Sequence, residues 1–401
     1  MKILLVVEDL RIGGAQTFVL RLAQALHQAG SAVYLYSHYA HHTNVGLVRQ
    51  LAPDVPVIAF GNNEWMDRAL RKADGLRRRL GFSSSWRETR LIRHLRRTIV
   101  ELQPDVVNAH TIKADYAAAR ALQGLTTPLV ITMHGCYELF LHKADAPEVT
   151  PKGNYALQHA AGLIFLTKKN LEIFSVPGVR PLASLLHAQI YNGFAGEFSA
   201  KLPTRTQLKI GADDLVFGMV ARGIEEKGWK YAIASFEALA NEWPQVQLVL
   251  IGDGDYLDGL RVAHPHPRIH FIGFSPNPID WVQLFDVGLL PSYFASESLP
   301  NSIAEYLFCE VPVVASRIGE IPQMLEVNTE MAGVLVEQNG RGLTQPAALT
   351  DVMRSYATQP DLLARHRKLA GQAFEKFGMK KCIESYLAVF EAVQPKIISN
   401  N

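Results

Sequence analysis

Short runs rich in Val, Ile and Leu, apolar on both faces, alternate along this chain with longer stretches in which apolar residues return every three or four positions. Runs of the first kind at 2–7, 32–37, 55–60, 105–109, 128–133, 162–166 and 189–191 predict buried strands. Stretches of the second kind at 15–28, 87–102 and 114–123 predict helices between them. Strands apolar on both faces, alternating with helices, predict a parallel sheet covered on both sides. The pattern then starts again, with strands expected at 215–220, 247–251, 269–272, 287–290, 311–315 and 333–336 and helices at 229–241, 301–309 and 362–377. Residues 192–214, rich in Gly, Pro and polar side chains, separate the two sets, and an amphipathic stretch at 380–392 follows Gly378. The expected fold is α/β, with two Rossmann-like, doubly wound parallel-sheet domains facing a central cleft. The first covers residues 1–193 and is joined by a C-terminal helix within 380–401; the second covers 194–379. Ligands are expected at the carboxyl ends of the strands.

Composition narrows the classes. At 401 residues the chain exceeds one ordinary core, and two domains of about 200 residues are the natural division. A hydrophobic share of 48% and a charged share of 19% describe a packed globular protein. The formal net charge of +2 argues against a general nucleic-acid binder. Cys136, Cys309 and Cys382 are widely separated, which argues against a disulfide framework or a zinc site and for a reducing cytoplasm. The opening MKILLVVEDL turns polar at Glu8, too early for the core of a signal peptide, and fits a first buried strand. No window approaches the ~20 apolar residues of a membrane span.

Chemistry concentrates where strands end. Arg222 and Lys227 follow the strand at 215–220, and two fixed cations there suit a diphosphate, although such a turn is also an ordinary surface feature. Gly252-Asp253-Gly254 follows the next strand, but Leu257 breaks the dinucleotide fingerprint. Gly13 and Gly14, between the first strand and its helix, let backbone approach an anion at a helix N-terminus. His110 and His134 end neighbouring strands; each reads as a satisfied core histidine or as a functional group, and no acid or thiol joins them at metal-ligand spacing. Glu297 falls in a loop and Glu305 about one turn inside the helix that begins near Pro300. Either glutamate alone is explained by the preference for acids near helix starts.

Taken in order, 297-ESLPNSIAE-305 followed by 311-VPVVAS-316, Gly13-Gly14-Ala15, His134, 192-NGF-194, Arg222 with Lys227, and Gly252-Asp253-Gly254 resemble the retaining GT-B glycosyltransferases, family 4 in particular. The resemblance implies an acceptor-binding first domain and a nucleotide-sugar-binding second domain. Arg222 and Lys227 would bind the donor diphosphate and stabilise the leaving nucleoside diphosphate. Glu305 would hold the ribose hydroxyls, and Glu297 and His134 would contact the donor sugar. The amides of Ser298, Leu299, Gly13 and Gly14 would cradle phosphate, the Gly252 turn would belong to the nucleotide site, and the base would lie against Gly273 and Phe274. No metal and no other cofactor is implied. The activity implied is retaining transfer of a hexose-type sugar from a UDP- or GDP-linked donor to a glycan or lipid-linked saccharide, in cell-surface polysaccharide or lipopolysaccharide biosynthesis. The alternatives are a nucleotide-sugar epimerase or phosphorylase of the same fold, or a non-catalytic nucleotide-sugar-binding subunit. Gln16 stands where the family often has Glu, and 319-GEIPQM-324, with Glu320 and Gln323, departs from a Gly-Gly-x-x-Glu pattern.

One stretch stands apart from the donor motifs. Between Arg68 and Arg97 many arginines and a lysine are interleaved with Leu70, Leu76, Leu80, Phe82, Trp86, Leu91 and Leu95. It reads either as a solvated helix pair or as a surface that docks on an anionic membrane or a polyanionic acceptor. The second reading places the protein in the cytoplasm, peripheral to the inner face of the plasma membrane.

Overall fold

The computed structural model describes residues 1–11, 14–61, 64–79, 85–134, 146–176, 178–295, 297 and 299–395. They form two compact units, Met1–Gly193 with the segment from Met379 onward, and Phe194–Gly378. Each is built on one parallel sheet.

In the N-terminal unit the strands are β1 (Lys2–Val7), β2 (Ala32–Ser37), β3 (Val57–Ala59), β4 (Val106–Ala109), β5 (Leu129–Met133), β6 (Gly162–Phe165) and β7 (Leu186–Gln189), in the order β3-β2-β1-β4-β5-β6-β7. β1 lies centrally, and Ile3, Leu4, Leu5 and Val6 have no exposed surface. Phe18, Leu22 and Leu26 of the Gly14–Gln28 helix cover one face together with Tyr386 and Phe390 of the Met379–Ala392 helix. Leu91, Leu95 and Ile99 of the Trp86–Leu102 helix and the alanines of Ile112–Ala121 cover the other. Burial on both sides is why these strands read as unbroken apolar runs.

The C-terminal unit repeats the plan with β8 (Leu215–Val220), β9 (Val246–Ile251), β10 (Ile269–Gly273), β11 (Val287–Leu290), β12 (Val313–Ser316) and, after a short antiparallel hairpin of β13 (Glu326–Val327) and β14 (Glu330–Met331), β15 (Gly333–Val336). The order is β10-β9-β8-β11-β12-β15. In both sheets the chain lays its early strands to one side of the first and then crosses to the other. The crossing leaves a switch point between β1 and β4 and another between β8 and β11, where connections diverge and open a crevice.

The strand expected at 189–191 lies instead at Leu186–Gln189. It is an edge strand with mostly exposed residues, held by parallel pairing to β6 rather than by burial, so no apolar run marks it. The hairpin of β13 and β14 was not anticipated for a related reason: it pairs only Glu326 with Met331 and Val327 with Glu330.

The arginine-rich stretch is a helix pair, Glu64–Arg79 and Trp86–Leu102. Buried Asp74 joins them, accepting from the Ser85 hydroxyl and from the Trp86 amide at 2.7 Å, while Ser85 caps the second helix by accepting from Glu88 N at 3.1 Å. Several cations have structural roles. Arg96 donates to the Ala121 and Gln123 carbonyls at 2.8 and 2.7 Å, and Arg87 stacks over the Tyr39 ring at 4.1 Å. Trp65, Arg68, Lys72 and Leu76 share one exposed face of the first helix, with Trp65 75% and Leu76 60% exposed.

Candidate functional site

The C-terminal unit gathers charge at its switch point. The turn after β8, 221-ARGIEEKG-228, and the loop after β11, from Pro291 to Pro300, meet backbone to backbone. Gly228 is left-handed at φ +83°, and a Cβ there would lie 2.1 Å from the Pro291 carbonyl oxygen, so only glycine fits. The Glu226 carbonyl accepts from Tyr293 N at 2.8 Å, tying the loops together.

Within this junction Lys227 and Glu297 form an ion pair with Nζ and Oε2 2.6 Å apart. Both are buried, at 8% and 7% exposure. Fully buried Ser292 donates from its hydroxyl to the same Oε2 at 2.7 Å, fixing the carboxylate. Phe294 sits beside both cations: its ring centre is 5.1 Å from Lys227 Nζ and 5.3 Å from the Arg222 guanidinium carbon. Arg222 is exposed, but its backbone is not loose, because the buried Trp229 indole N–H donates to its carbonyl at 2.8 Å. The geometry thus brings Arg222, Lys227 and Glu297 into one charged cluster.

Helix Asn301–Phe308 leaves the second loop, preceded by Pro300, whose side chain makes no capping bond. Tyr306 anchors it. The buried Tyr306 hydroxyl accepts from Val220 N at 2.7 Å and donates to Leu289 O at 3.2 Å, inserting itself between β8 and β11 just where their pairing stops. The ring passes over Gly288, where a Cβ would stand 2.5 Å away. Burial raises the pKa of this hydroxyl, keeping it protonated and able to donate. Glu305, the preceding residue, is partly buried on the same helix.

The Gly252 turn has a structural task. A Cβ on Gly252 would lie 2.1 Å from the Ala221 carbonyl oxygen, and Gly223 N donates to the Asp253 carbonyl at 2.7 Å. The turn after β9 therefore clamps the turn that carries Arg222. Gly252 N also donates to Gly273 O at 3.0 Å, and Phe274, just past β10, is 70% exposed. Leu299 is partly buried; Ser298 and Gly13 lie outside the described residues. Glu320 is buried, immediately before helix Ile321–Leu325.

In the N-terminal unit, Gly14 opens the helix after β1, and a Cβ there would meet nothing within 4 Å. The nearby Asp9 carboxyl explains Gln16. Burial alone would raise the Asp9 pKa, but bonds from Arg11 at 2.7 and 3.1 Å and from Gln16 Nε2 at 3.3 Å bring it below the usual value. An amide at position 16 can donate to Asp9, where a glutamate would oppose it. His110 and His134, at the ends of β4 and β5, contact each other, with His110 Nδ1 and His134 Nε2 2.9 Å apart. Burial holds both imidazoles neutral, lowering the pKa of His134 to about 4 and that of His110 well below the ordinary value. Among the described residues no group of three His, Cys, Asp or Glu side chains is placed to hold a metal ion.

Comparison with known proteins agrees with this architecture. Residues 12–169 match the family described as Glycosyltransferase Family 4, and residues 214–356 match the family described as Glycosyl transferases group 1. The 2-deoxystreptamine glucosyltransferase of Streptomyces kanamyceticus is 26% identical over 210 residues, which is 48% of this chain and 53% of that protein. A Bacillus subtilis (strain 168) protein provisionally named the teichuronic acid biosynthesis glycosyltransferase TuaC is 25% identical over 240 residues, 56% of each chain. The chain thus spans about half the length of these curated relatives. Among solved structures, Anabaena HepE in complex with UDP has a TM-score of 0.74 at 20% identity, covering 98% of this chain and 100% of its own; it has also been solved with UDP and glucose and with UDP-glucose. The chain thus carries a region matching Glycosyltransferase Family 4 followed by one matching Glycosyl transferases group 1, on the two parallel α/β sheets of the GT-B fold.

Proposed function

We propose that the protein transfers a hexose from a UDP-linked donor to a saccharide acceptor with retention of configuration, binding the donor diphosphate at the β8/β11 switch point. The observation that carries this reading is the buried Lys227–Glu297 pair beside Arg222. Breaking the bond from sugar to diphosphate builds negative charge on the departing oxygen. Arg222, Lys227 and the uncapped N-terminus of helix Asn301–Phe308 supply fixed positive charge for it. That supply is the basis for reading transfer as independent of metal and of any other cofactor. As phosphate takes over Lys227, Glu297 is released to accept from a sugar hydroxyl while Ser292 keeps it aligned. Glu305 binds the ribose hydroxyls, Phe274 and the Gly273 backbone meet the base, and the amides near Ser298, Leu299, Gly13 and Gly14 meet phosphate. His134 contacts the transferred sugar. The acceptor hydroxyl attacks from the face the diphosphate leaves, its proton passing to the departing phosphate oxygen, which retains configuration.

HepE, solved with UDP and UDP-glucose, supports uridine as the base, and the names of the two curated relatives support a saccharide or aminocyclitol acceptor. We read the acceptor as a glycan or lipid-linked saccharide of the cell surface. Thermal unfolding in UDP, GDP and ADP tests the donor. A nucleotide present at about 100 times its Kd stabilises the folded state by about 2.7 kcal/mol, so UDP is expected to raise Tm by several degrees and more than the others. No shift with any of the three would remove the reading.

The exposed Trp65, Arg68, Lys72 and Leu76 face supports docking on an anionic membrane from the cytoplasmic side, with aromatic and aliphatic groups entering the headgroup layer between cations. Replacing Trp65 and Leu76 with serine is expected to weaken sedimentation with phosphatidylglycerol vesicles at low salt. Equal binding by variant and wild type would leave the helix pair as a solvated surface.

A further inference from the structure

The Arg222 guanidinium is held by an aromatic ring rather than by an acid. Among the described residues it forms no hydrogen bond and no ion pair, and its carbon lies over the Phe294 ring, 5.3 Å from the centroid. Two acids of the adjoining loops are engaged with other cations, Glu297 with Lys227 at 2.6 Å and Glu225 with Lys230 at 2.7 Å. The ring itself is fixed. Phe294 is half-buried, its N–H donates to Ser292 Oγ at 3.3 Å, and its carbonyl accepts from Glu297 N at 2.8 Å. Trp229 Nε1, donating to the Arg222 carbonyl at 2.8 Å, holds the backbone end of the arginine. All of these groups belong to the C-terminal unit, and Arg222 is exposed to solvent.

The two cations of the cluster differ in what an arriving diphosphate must undo. The Lys227 ammonium is neutralised by Glu297, and that pair opens as phosphate takes over. An aromatic face attracts a guanidinium through its quadrupole, without accepting its N–H groups and without cancelling its charge. All five N–H donors of Arg222 therefore stay available for a two-pronged contact with phosphate oxygens. A carboxylate in place of the ring would have to be displaced by the anion. A guanidinium with no ring beside it would lose more rotamer freedom on binding.

We propose that Phe294 is a positioning residue that holds the Arg222 guanidinium against its ring face, oriented and with its N–H groups free for the donor diphosphate. The inference rests on the reading of Arg222 as a diphosphate contact. Two replacements at position 294 test it, each by calorimetric titration of UDP and of uridine. Phe294→Leu removes the ring and keeps an apolar side chain. Pentafluorophenylalanine at the same position keeps the ring and withdraws the negative charge from its face, a change that a purely packing role would not register. Both are expected to weaken UDP by about 2-fold to 5-fold and to leave uridine unchanged, and neither is expected to have an effect when Arg222→Ala is already present. Retained uridine binding shows that the site is folded, and should Phe294→Leu not fold, the fluorinated protein carries the test. UDP binding of wild-type strength in the fluorinated protein overturns the proposal, while a loss of UDP affinity in Arg222→Ala would keep the diphosphate reading. A fluorination effect of the same size in the Arg222→Ala background also overturns it, because the ring would then act on Lys227 or on the ligand. UDP binding of wild-type strength in Arg222→Ala alone removes the diphosphate reading and the proposal with it.

Discussion

Replacing Lys227 with methionine is expected to reduce transfer by about 10²–10³-fold and, separately, to destabilise the C-terminal unit by about 3–5 kcal/mol. The first effect follows from losing a fixed cation at the point where the departing diphosphate gains charge. The second comes from the partner. Glu297 is 7% exposed and its Oε2 faces Lys227 at 2.6 Å, so removing the ammonium leaves a buried carboxylate that keeps the Ser292 hydroxyl as a donor. Pairing Lys227→Met with Glu297→Gln separates the two. Without either charge the buried site is nearly neutral in stability, so the double variant is expected to regain most of the lost Tm while remaining inactive. Denaturant unfolding and initial-rate kinetics on the three proteins check this. A single variant as stable as the wild type would mean that the pair contributes nothing, and a double variant that regains activity would remove Lys227 from the chemistry.

The division of labour in that cluster marks where sequence reading stops. Arg222 and Lys227 were legible because cations directly after an apolar strand are easy to notice, and Glu297 and Glu305 because they bracket a helix start. The pairing of Lys227 with Glu297 was not, since 70 residues separate them and only the adjacency of β8 and β11 brings them together. Ser292 and Tyr306 were invisible for another reason. In the sequence one is an ordinary loop serine and the other an aromatic in an apolar helix; their roles lie in single hydroxyl bonds to Glu297, Val220 and Leu289. His110 likewise read equally well as a core residue, because nothing local announces its contact with His134.

The fold was more legible than the site. Fully buried parallel strands carry their signal in every residue, and β1, β8 and β11 appear where apolar runs place them. Edge strands β3 and β7, stabilised mainly by backbone pairing on one side, blur or shift. Glycine gave a mixed signal. Gly252 looked like part of a nucleotide turn, and its missing Cβ is already required by the approach of Ala221. Gly228 is the point where the two loops of the charged cluster touch.

We propose that the crevice between β8 and β11 binds the nucleoside diphosphate through Arg222 and Glu305. Arg222 is held by Trp229 with its guanidinium beside Phe294, and Glu305 rides on the helix that Tyr306 fastens to both strands. Each contributes charge-assisted hydrogen bonds worth about 1.5–3 kcal/mol, or roughly 10-fold to 100-fold in Kd. Their losses should fall on different parts of the ligand. Arg222→Ala is expected to weaken UDP while leaving uridine unaffected, and Glu305→Ala to weaken both. The decisive measurement is calorimetric titration of UDP and uridine into the wild type and these two variants. The expected result is that pattern, with losses of at least about tenfold. UDP binding of wild-type strength in both variants would place the donor somewhere else.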